Sequence, residues 1–337
     1  MRAAAFTALG GPSGVEVIEL SAPTPGDGQA VVDVAGASVN RHDLLYLQGD
    51  FRLQERHLPF VSGVDVSGIV RDVGDGVEGV EPGDRVVLNP MQTCGSCRDC
   101  RDGPENLCEE YSLFHGGFAE QAVVDADRLV SVPDDVDLVT AAALPVTYMT
   151  AWHMLRRADV DAGDTVLIPG ATGGVGVAST QLTDAMGIRS VCTSSSPEKL
   201  DQLSTFGADE LLEAADADAL GEQLDGHEPV DAVLNHLAGP FTDVCLSALR
   251  RNGRMVICGR TAEKFSEIDT QDLFLGHKRI VGSTMGTQAD LERMVGLCEA
   301  GAIAPSVHET YSFDDAGQAF ADMQNRDVVG NLVVTPP

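Results

Sequence analysis

Half of the chain's eight cysteines fall inside fifteen residues, Cys94-Gly-Ser-Cys97-Arg-Asp-Cys100-Arg-Asp-Gly-Pro-Glu-Asn-Leu-Cys108, and no other stretch restricts the fold as tightly. Spacing of Cys-x2-Cys-x2-Cys-x7-Cys lets one short loop turn four thiolates onto a single ion, the closed tetrahedral set of a structural zinc site with no position left for chemistry. Cys94, Cys97, Cys100 and Cys108 are therefore the expected ligands of one structural zinc ion. Unrelated small hydrophobes would not gather among Arg98, Asp99, Arg101, Asp102 and Glu105. An iron–sulfur cluster is the alternative, since the first three cysteines also open the ferredoxin pattern. There, however, the fourth cysteine follows after three residues and precedes proline, whereas Glu109 follows Cys108. Cys192, Cys245, Cys258 and Cys298 stand singly, which suits a reducing compartment better than a disulfide framework.

At 337 residues the chain is long enough for two domains with real cores, and its 43% hydrophobic content is that of a globular protein. No run of eighteen apolar residues occurs, and Met1-Arg-Ala-Ala-Ala-Phe6 leads into a strand-like segment without a signal-peptide core. A cytoplasmic protein with no membrane partner is expected. Acids outnumber bases 52 to 22, giving a formal charge of −30 with only three lysines. Such a surface repels nucleic acid and anionic membranes. Self-repulsion of that size destabilises the fold in dilute buffer but is screened where the Debye length falls to ~3 Å, at molar salt. The acids are spread along the whole chain rather than gathered into one acidic partner-binding face, which points to a halophile's protein. Thermal unfolding should accordingly occur at a much lower temperature in dilute buffer than in multimolar KCl; equal stability in the two would refute this.

Residues 1 to about 90 read as β-rich. Gly14–Leu20 and Ala30–Val34 alternate, with Pro23, Pro25, Gly26 and Gly28 between them, Ser62–Gly74 reads as a glycine-spaced strand pair, and Arg85–Leu88 follows a turn. A small barrel fits that density of turns. The cysteine loop is an excursion, after which Gly116–Val124 returns to strand. Beyond Pro133 the pattern becomes helical, with Thr147–Leu155 at helical spacing. Strands at 165–170, 190–193, 230–236, 253–259 and 279–284 then alternate with helices at 174–186 and 198–206, which argues for a parallel, doubly wound sheet. An amphipathic helix at 289–300 and a strand at 330–335, expected to pair back with the N-terminal region, complete the pattern.

Gly170-Ala-Thr-Gly173-Gly174-Val175-Gly176 follows a buried strand and opens a helix. In that context a glycine pattern signals dinucleotide binding, because the bare backbone can approach a pyrophosphate at the helix N-terminus. An NAD enzyme would carry an acid at the end of the next strand for the ribose 2′-hydroxyl. Here Thr193, Ser194, Ser195 and Ser196 stand there, with Lys199 nearby. Hydroxyl donors and a cation suit a 2′-phosphate, so NADP(H) is the expected cofactor.

With a β-rich N-terminal half, the four-cysteine loop and this phosphate loop in that order, the whole chain resembles the medium-chain dehydrogenase/reductase superfamily. The resemblance implies a GroES-like catalytic domain (residues 1–146 and 286–337, with the zinc loop at 94–108) and a Rossmann NADP(H)-binding domain (147–285). It also implies an active site in the cleft between them and a homodimer or homotetramer. Zinc-dependent alcohol dehydrogenases of the superfamily hold a catalytic zinc with a cysteine near position 40, the histidine of Gly-His-Glu and a cysteine of the interdomain helix. The matching positions here are Asn40, Val64 and Val146, which together cannot hold zinc, and Asp65 is expected to be structural. Asn40-Arg-His-Asp43 and Leu144-Pro-Val-Thr-Tyr-Met-Thr-Ala-Trp152 are instead similar to the quinone oxidoreductase and enoyl reductase branch.

That resemblance implies NADPH-dependent hydride transfer to a quinone, enone or enoyl-type substrate without catalytic zinc. A dehydrogenase of alcohols or sugars and a non-catalytic NADPH-binding protein are the alternatives. By the same resemblance Arg41 lies near the cofactor pyrophosphate, and Asn40 and Asp43 shape the pocket. His42 occupies the place of a proton-relay hydroxyl, and Tyr46 is a second acid candidate. A ribose hydrogen bond for His42 and a place in the pocket wall for Tyr46 are the competing readings. Thr150, His236, Gly259, Arg260, Ser283 and Met285 complete the expected cofactor contacts, the last five lying after strands of the second half.

Overall fold

A computed structural model describes residues 1–50 and 53–337. The chain divides into two compact units, one of Met1–Val146, Thr287–Gly301 and Pro305–Pro337, the other of Thr147–Gly286 and Ala302–Ala304. Among the described residues no helix is long and apolar enough to cross a membrane.

The first unit is organised by the eleven-residue strand Gln29–Val39. Its first half pairs antiparallel with Ser67–Val73 on one side and Gln121–Asp125 on the other. Its last three residues pair with Asn331–Thr335. Irregular register between Val31 and Val32, and again between Val34 and Gly36, lets one strand bend between these partners. The full order runs Val307–Ser312, Asn331–Thr335, Gln29–Val39, Ser67–Val73, Arg85–Leu88, Leu129–Ser131. Alternating apolar side chains fill the inside together with Leu44, Leu47 and Phe320. Phe320 takes Phe6 (5.4 Å) and Phe118 (5.9 Å) edge to face. The strand pair expected over Ser62–Gly74 is one strand only, Ser67–Val73. Gly63 has φ +85° and turns the chain, so Ser62 and Gly63 pair with a loop at 116–118 instead.

The second unit is a six-stranded sheet ordered Glu210–Glu213, Arg189–Ser194, Thr165–Ile168, Val230–Asn235, Leu249–Ile257, Arg279–Gly282. Every pairing is parallel. Numbered in chain order this is 3-2-1-4-5-6, the Rossmann arrangement, whose order reverses between Thr165–Ile168 and Val230–Asn235. The strand Glu210–Glu213 and the helix Ala217–Leu224 have no counterpart in the sequence reading; both are short and rich in acids. Helix Gly174–Met186 lies at its expected place. The helix expected from Thr147 begins at Met149, after a wider π-helical turn over Leu144–Tyr148.

Candidate active site and metal centre

Ligand-binding geometry in an open parallel sheet is set at the carboxyl ends of strands beside the order reversal. There Gly170 (φ +67°) turns the chain out of strand Thr165–Ile168. Its amide donates to Thr193 Oγ1 (3.1 Å), and the Ala171 amide donates to the Thr193 carbonyl (2.8 Å). A methyl group at Gly176 would lie 2.4–2.5 Å from the Ala171 backbone, so the loop packs directly on its helix. At Gly173 a methyl would meet nothing within 4 Å. Gly173 also caps helix Gly174–Met186 without a side-chain bond. Bare backbone facing open space above an uncapped helix start, formed by Gly173, Gly174 and Val175, suits a pyrophosphate.

At the end of strand Arg189–Ser194, Ser194 Oγ accepts from the Ser196 amide (3.2 Å), and Ser196 Oγ accepts from the Lys199 amide (3.4 Å). Each hydroxyl keeps its own proton to donate, and Ser195 is exposed. Glu213 stands opposite Ser194 in the register of the neighbouring strand. His236, after strand Val230–Asn235, is held neutral by burial, which pushes its pKa down to about 4 against the opposing effect of a bond to the Gly170 backbone. A methyl on Gly259 would stand 2.6 Å from the His236 carbonyl, so these two strand ends touch. Arg260 follows Gly259 and is half-buried. Ser283 Oγ is buried without a hydrogen-bond partner, and Thr150 Oγ1 lies 3.9 Å from Met285 Sδ. An orphaned hydroxyl at a strand's carboxyl end suits a polar cofactor group.

In the first unit, the sulfurs of Cys94, Cys97, Cys100 and Cys108 all lie within 4.8 Å of one another. Cys94 and Cys100 Sγ are 3.9 Å apart; a tetrahedral zinc with bonds of about 2.3 Å has ligand edges of about 3.8 Å. The Cys97 amide points at Cys94 Sγ and the Cys100 amide at Cys97 Sγ, both at 3.4 Å, which favours thiolates. Short helix Arg98–Asp102 presents Cys100, and Glu105 Oε1 ties the loop to helix Gln288–Glu299 by accepting from the Gln288 amide (2.6 Å). The residues present fit a structural zinc. Among the described residues this is the only group of three or more thiol, imidazole or carboxylate ligands placed to share an ion.

Asn40 precedes helix Arg41–Leu47. Its Nδ2 donates to Asp65 Oδ2 (2.9 Å), which also accepts from Ser38 Oγ (2.6 Å), while Asp65 Oδ1 accepts from the Val146 amide (3.2 Å). The Asn40, Val64 and Val146 positions thus meet around one buried carboxylate, raised to about 7 chiefly by burial. Asp43 is fully buried and uses both oxygens: Oδ2 accepts from the Asn40 amide (2.9 Å), Oδ1 from Ser62 Oγ (2.5 Å) and the Gly63 amide (3.0 Å). These bonds leave it no free edge for a ligand. Arg41 is half-buried, and burial lowers its pKa, with Arg326 adding repulsion. His42 and Tyr46, one helical turn apart, bring their rings to 4.6 Å with planes tilted by 43°. His115, which stands in no motif and escaped the sequence reading, lies 5.5 Å from His42 and 4.8 Å from Tyr46.

Residues 26–134 match the alcohol dehydrogenase GroES-like domain family, and residues 174–300 the zinc-binding dehydrogenase family. The acryloyl-coenzyme A reductase of Metallosphaera sedula is 31% identical over 98% of this chain and 99% of its own. A crystal structure of an NAD-dependent alcohol dehydrogenase superposes with a TM-score of 0.91 at 33% identity, covering 99% of each chain. A 2-octenoyl-CoA carboxylase reductase solved with NADP and 2-octenoyl-CoA reaches a TM-score of 0.89 at 25% identity, over 96% of this chain and 82% of its own. With the sheet order, the glycine loop and the cysteine loop, these matches make the chain an oxidoreductase of the medium-chain dehydrogenase/reductase superfamily.

Proposed function

We propose that the protein is an NADPH-dependent reductase of conjugated carbonyl compounds, of the quinone, enone or enoyl type, that works without a catalytic zinc. The observation that carries this reading is the Asp65 carboxylate bonded to Ser38, Asn40 and the Val146 amide. Where related alcohol dehydrogenases gather thiolate and imidazole, this corner holds a carboxamide, two valines and a carboxylate whose oxygens are engaged. Alcohol oxidation calls for a stabilised alkoxide. A conjugated acceptor instead spreads the arriving charge into its own carbonyl. When bound, the reduced nicotinamide supplies the hydride. The chain's part is to hold and orient both molecules, exclude water and stabilise the charge that develops.

The phosphate loop Gly173–Val175 would hold the pyrophosphate, with Arg41 as its counter-charge. Ser194, Ser195 and Lys199 would take the 2′-phosphate. His236, Gly259, Arg260, Thr150, Ser283 and Met285 would line the remaining length of the cofactor. Support from relatives comes from the acryloyl-CoA reductase and from the octenoyl-CoA enzyme bound to NADP. The NAD-dependent alcohol dehydrogenase match at 33% identity favours a second reading, alcohol oxidation with NAD. Steady-state assays in multimolar KCl separate them. NADPH should be oxidised by an alkenal, a cyclic enone or a quinone, with a KM for NADPH at least about tenfold below that for NADH, since a 2′-phosphate paired to a cation and hydroxyls contributes more than about 1.4 kcal/mol. Turnover of simple alcohols with NAD and none of the conjugated acceptors would establish the second reading. Cofactor binding with no turnover would mark a non-catalytic protein.

A further inference from the structure

Glu105 stands between the third and fourth cysteines of the metal loop and begins the short 3-10 turn Glu105–Leu107. The Cys108 amide donates to the Glu105 carbonyl (3.0 Å), so a ligand residue and this glutamate share one turn of backbone. Its side chain leaves the loop, and Oε1 accepts from the Gln288 amide at 2.6 Å. Gln288 is the first residue of helix Gln288–Glu299, behind its cap Thr287. A first-turn amide has no partner inside its own helix, and a carboxylate is favoured at that positive end. Thr287 is held as well: its amide donates to Asp290 Oδ2 (2.9 Å), and its Oγ1 accepts from the Asp290 amide (3.1 Å).

Three residues before Gln288 the backbone is strained. Met285 has φ +50°, in the left-handed region that favours glycine, and its side chain is buried. Such a conformation persists only where its flanks hold it, and strain of this kind gathers at ligand sites. Upstream, the Ser283 amide donates to the Ile257 carbonyl (2.8 Å), which ties the segment to the neighbouring strand. Downstream, the anchors are the amides of Thr287 and Gln288, the second of them held from the metal loop. Ser283 and Met285 follow the carboxyl end of strand Arg279–Gly282, where cofactor contacts collect in a sheet of this order. We propose that Glu105 is a positioning residue through which zinc in the cysteine loop sets the backbone of Ser283–Gly286 for the nicotinamide cofactor, so that metal and cofactor bind with linked affinities. This rests on the reading of Ser283 and Met285 as cofactor contacts. The link runs along the chain: the metal fixes Cys108, Cys108 fixes the turn that bears Glu105, and Glu105 fixes Gln288, two peptide bonds from Gly286. With the loop slack, Gln288 loses its charged acceptor and Met285 relaxes toward ordinary angles. The cofactor must then restore the strained form at the expense of its own binding.

A linkage cycle in multimolar KCl tests this. NADPH and NADH affinities are measured by fluorescence on the wild type, with one zinc per chain and after removal of the metal by a chelator, and on zinc-loaded E105A and E105Q. NADPH should bind the metal-free wild type about tenfold more weakly than the zinc-loaded one, and by reciprocity should raise zinc affinity, read by competition against a chelator, by the same factor. Zinc-loaded E105A should already bind NADPH about tenfold more weakly, and its zinc affinity should not respond to NADPH. E105Q, which keeps an acceptor without the charge, should retain a linkage of about threefold. A Glu105 that merely supported the fold would lower the melting temperature of E105A and leave the linkage at its wild-type factor; that result would overturn the assignment. So would equal NADPH affinity in the zinc-loaded and metal-free wild type, or a chain that takes up no zinc, while NADPH reduction of a conjugated acceptor would still support the reductase reading. Linkage with NADH and no binding of NADPH would refute the NADPH reading and leave Glu105 its role. Binding of neither dinucleotide would refute both.

Discussion

Replacing Cys100 by serine should strip the metal from the protein and lower its melting temperature by roughly 10 °C or more, while leaving the nicotinamide-binding unit folded. Cys100 Sγ stands 3.9 Å from Cys94 Sγ, and its amide supports Cys97. A serine hydroxyl in its place stays protonated at neutral pH and offers a hard, neutral oxygen where a soft thiolate is wanted. Three sulfurs would remain, held close with no ion to neutralise them. Peptide zinc fingers gain about 10–16 kcal/mol from their metal because the whole fold depends on it. Here the loop hangs from a sheet with its own core, joined to helix Gln288–Glu299 through Glu105. A loss nearer to 5 kcal/mol is therefore expected, on the order of half the peptide value. Elemental analysis should find one zinc per wild-type chain and close to none in C100S. Equal melting of the two proteins at those metal contents would show that the loop carries no structural load.

A single methyl group at the phosphate loop, Gly176→Ala, should cost at least about a hundredfold in affinity for the dinucleotide. The added carbon would lie within 2.4–2.5 Å of the oxygen, carbonyl carbon and Cα of Ala171. No side chain can swing aside to relieve it, since all three atoms are backbone. Ala171 is itself bonded to Thr193, and Gly170 to the same residue, so yielding means lifting the loop off the neighbouring strand. Overpacking of this kind costs about 1–3 kcal/mol of stability. The larger effect is expected on binding, because the amides at Gly174 and Val175 would turn away from a phosphate bound there. Fluorescence titration with NADPH measures it, and Gly173→Ala is the informative companion, since its methyl would meet nothing within 4 Å in the free protein. Unchanged affinity in Gly176→Ala would mean that the dinucleotide does not use this loop.

Both of these features were legible in the sequence because their chemistry lies in local spacing. Four thiols within one loop and glycines between a strand and a helix need no knowledge of the distant chain. The short strand Glu210–Glu213 lacked such a signal: half-buried and half acidic, it offers neither an apolar run nor a clean alternation. Ser62–Val66 misled for the opposite reason. Its apolar residues read as strand, yet the positive φ of Gly63 and the pull of Asp43 fold it into a turn. The ring cluster around His115 was invisible because it is built from three segments, at 42–46, 60–63 and 115–118, that only the tertiary fold assembles. Asp43 was picked out for its motif, but a residue list could not show that both its oxygens are spent on backbone and serine donors.

The strand Asn331–Thr335 lies inside its sheet, between Val307–Ser312 and Gln29–Val39. The ribosome therefore delivers residues 1–146 long before the strand that completes their sheet exists, whereas nearly all of the nucleotide-binding unit, Thr147–Gly286, emerges as one uninterrupted piece. During synthesis the edge of Gln29–Val39 at Ala37, Ser38 and Val39 must wait with its amides and carbonyls unpaired. In a nascent chain this exposed edge, within three residues of Asn40, is where a chaperone or a neighbouring polypeptide would first take hold.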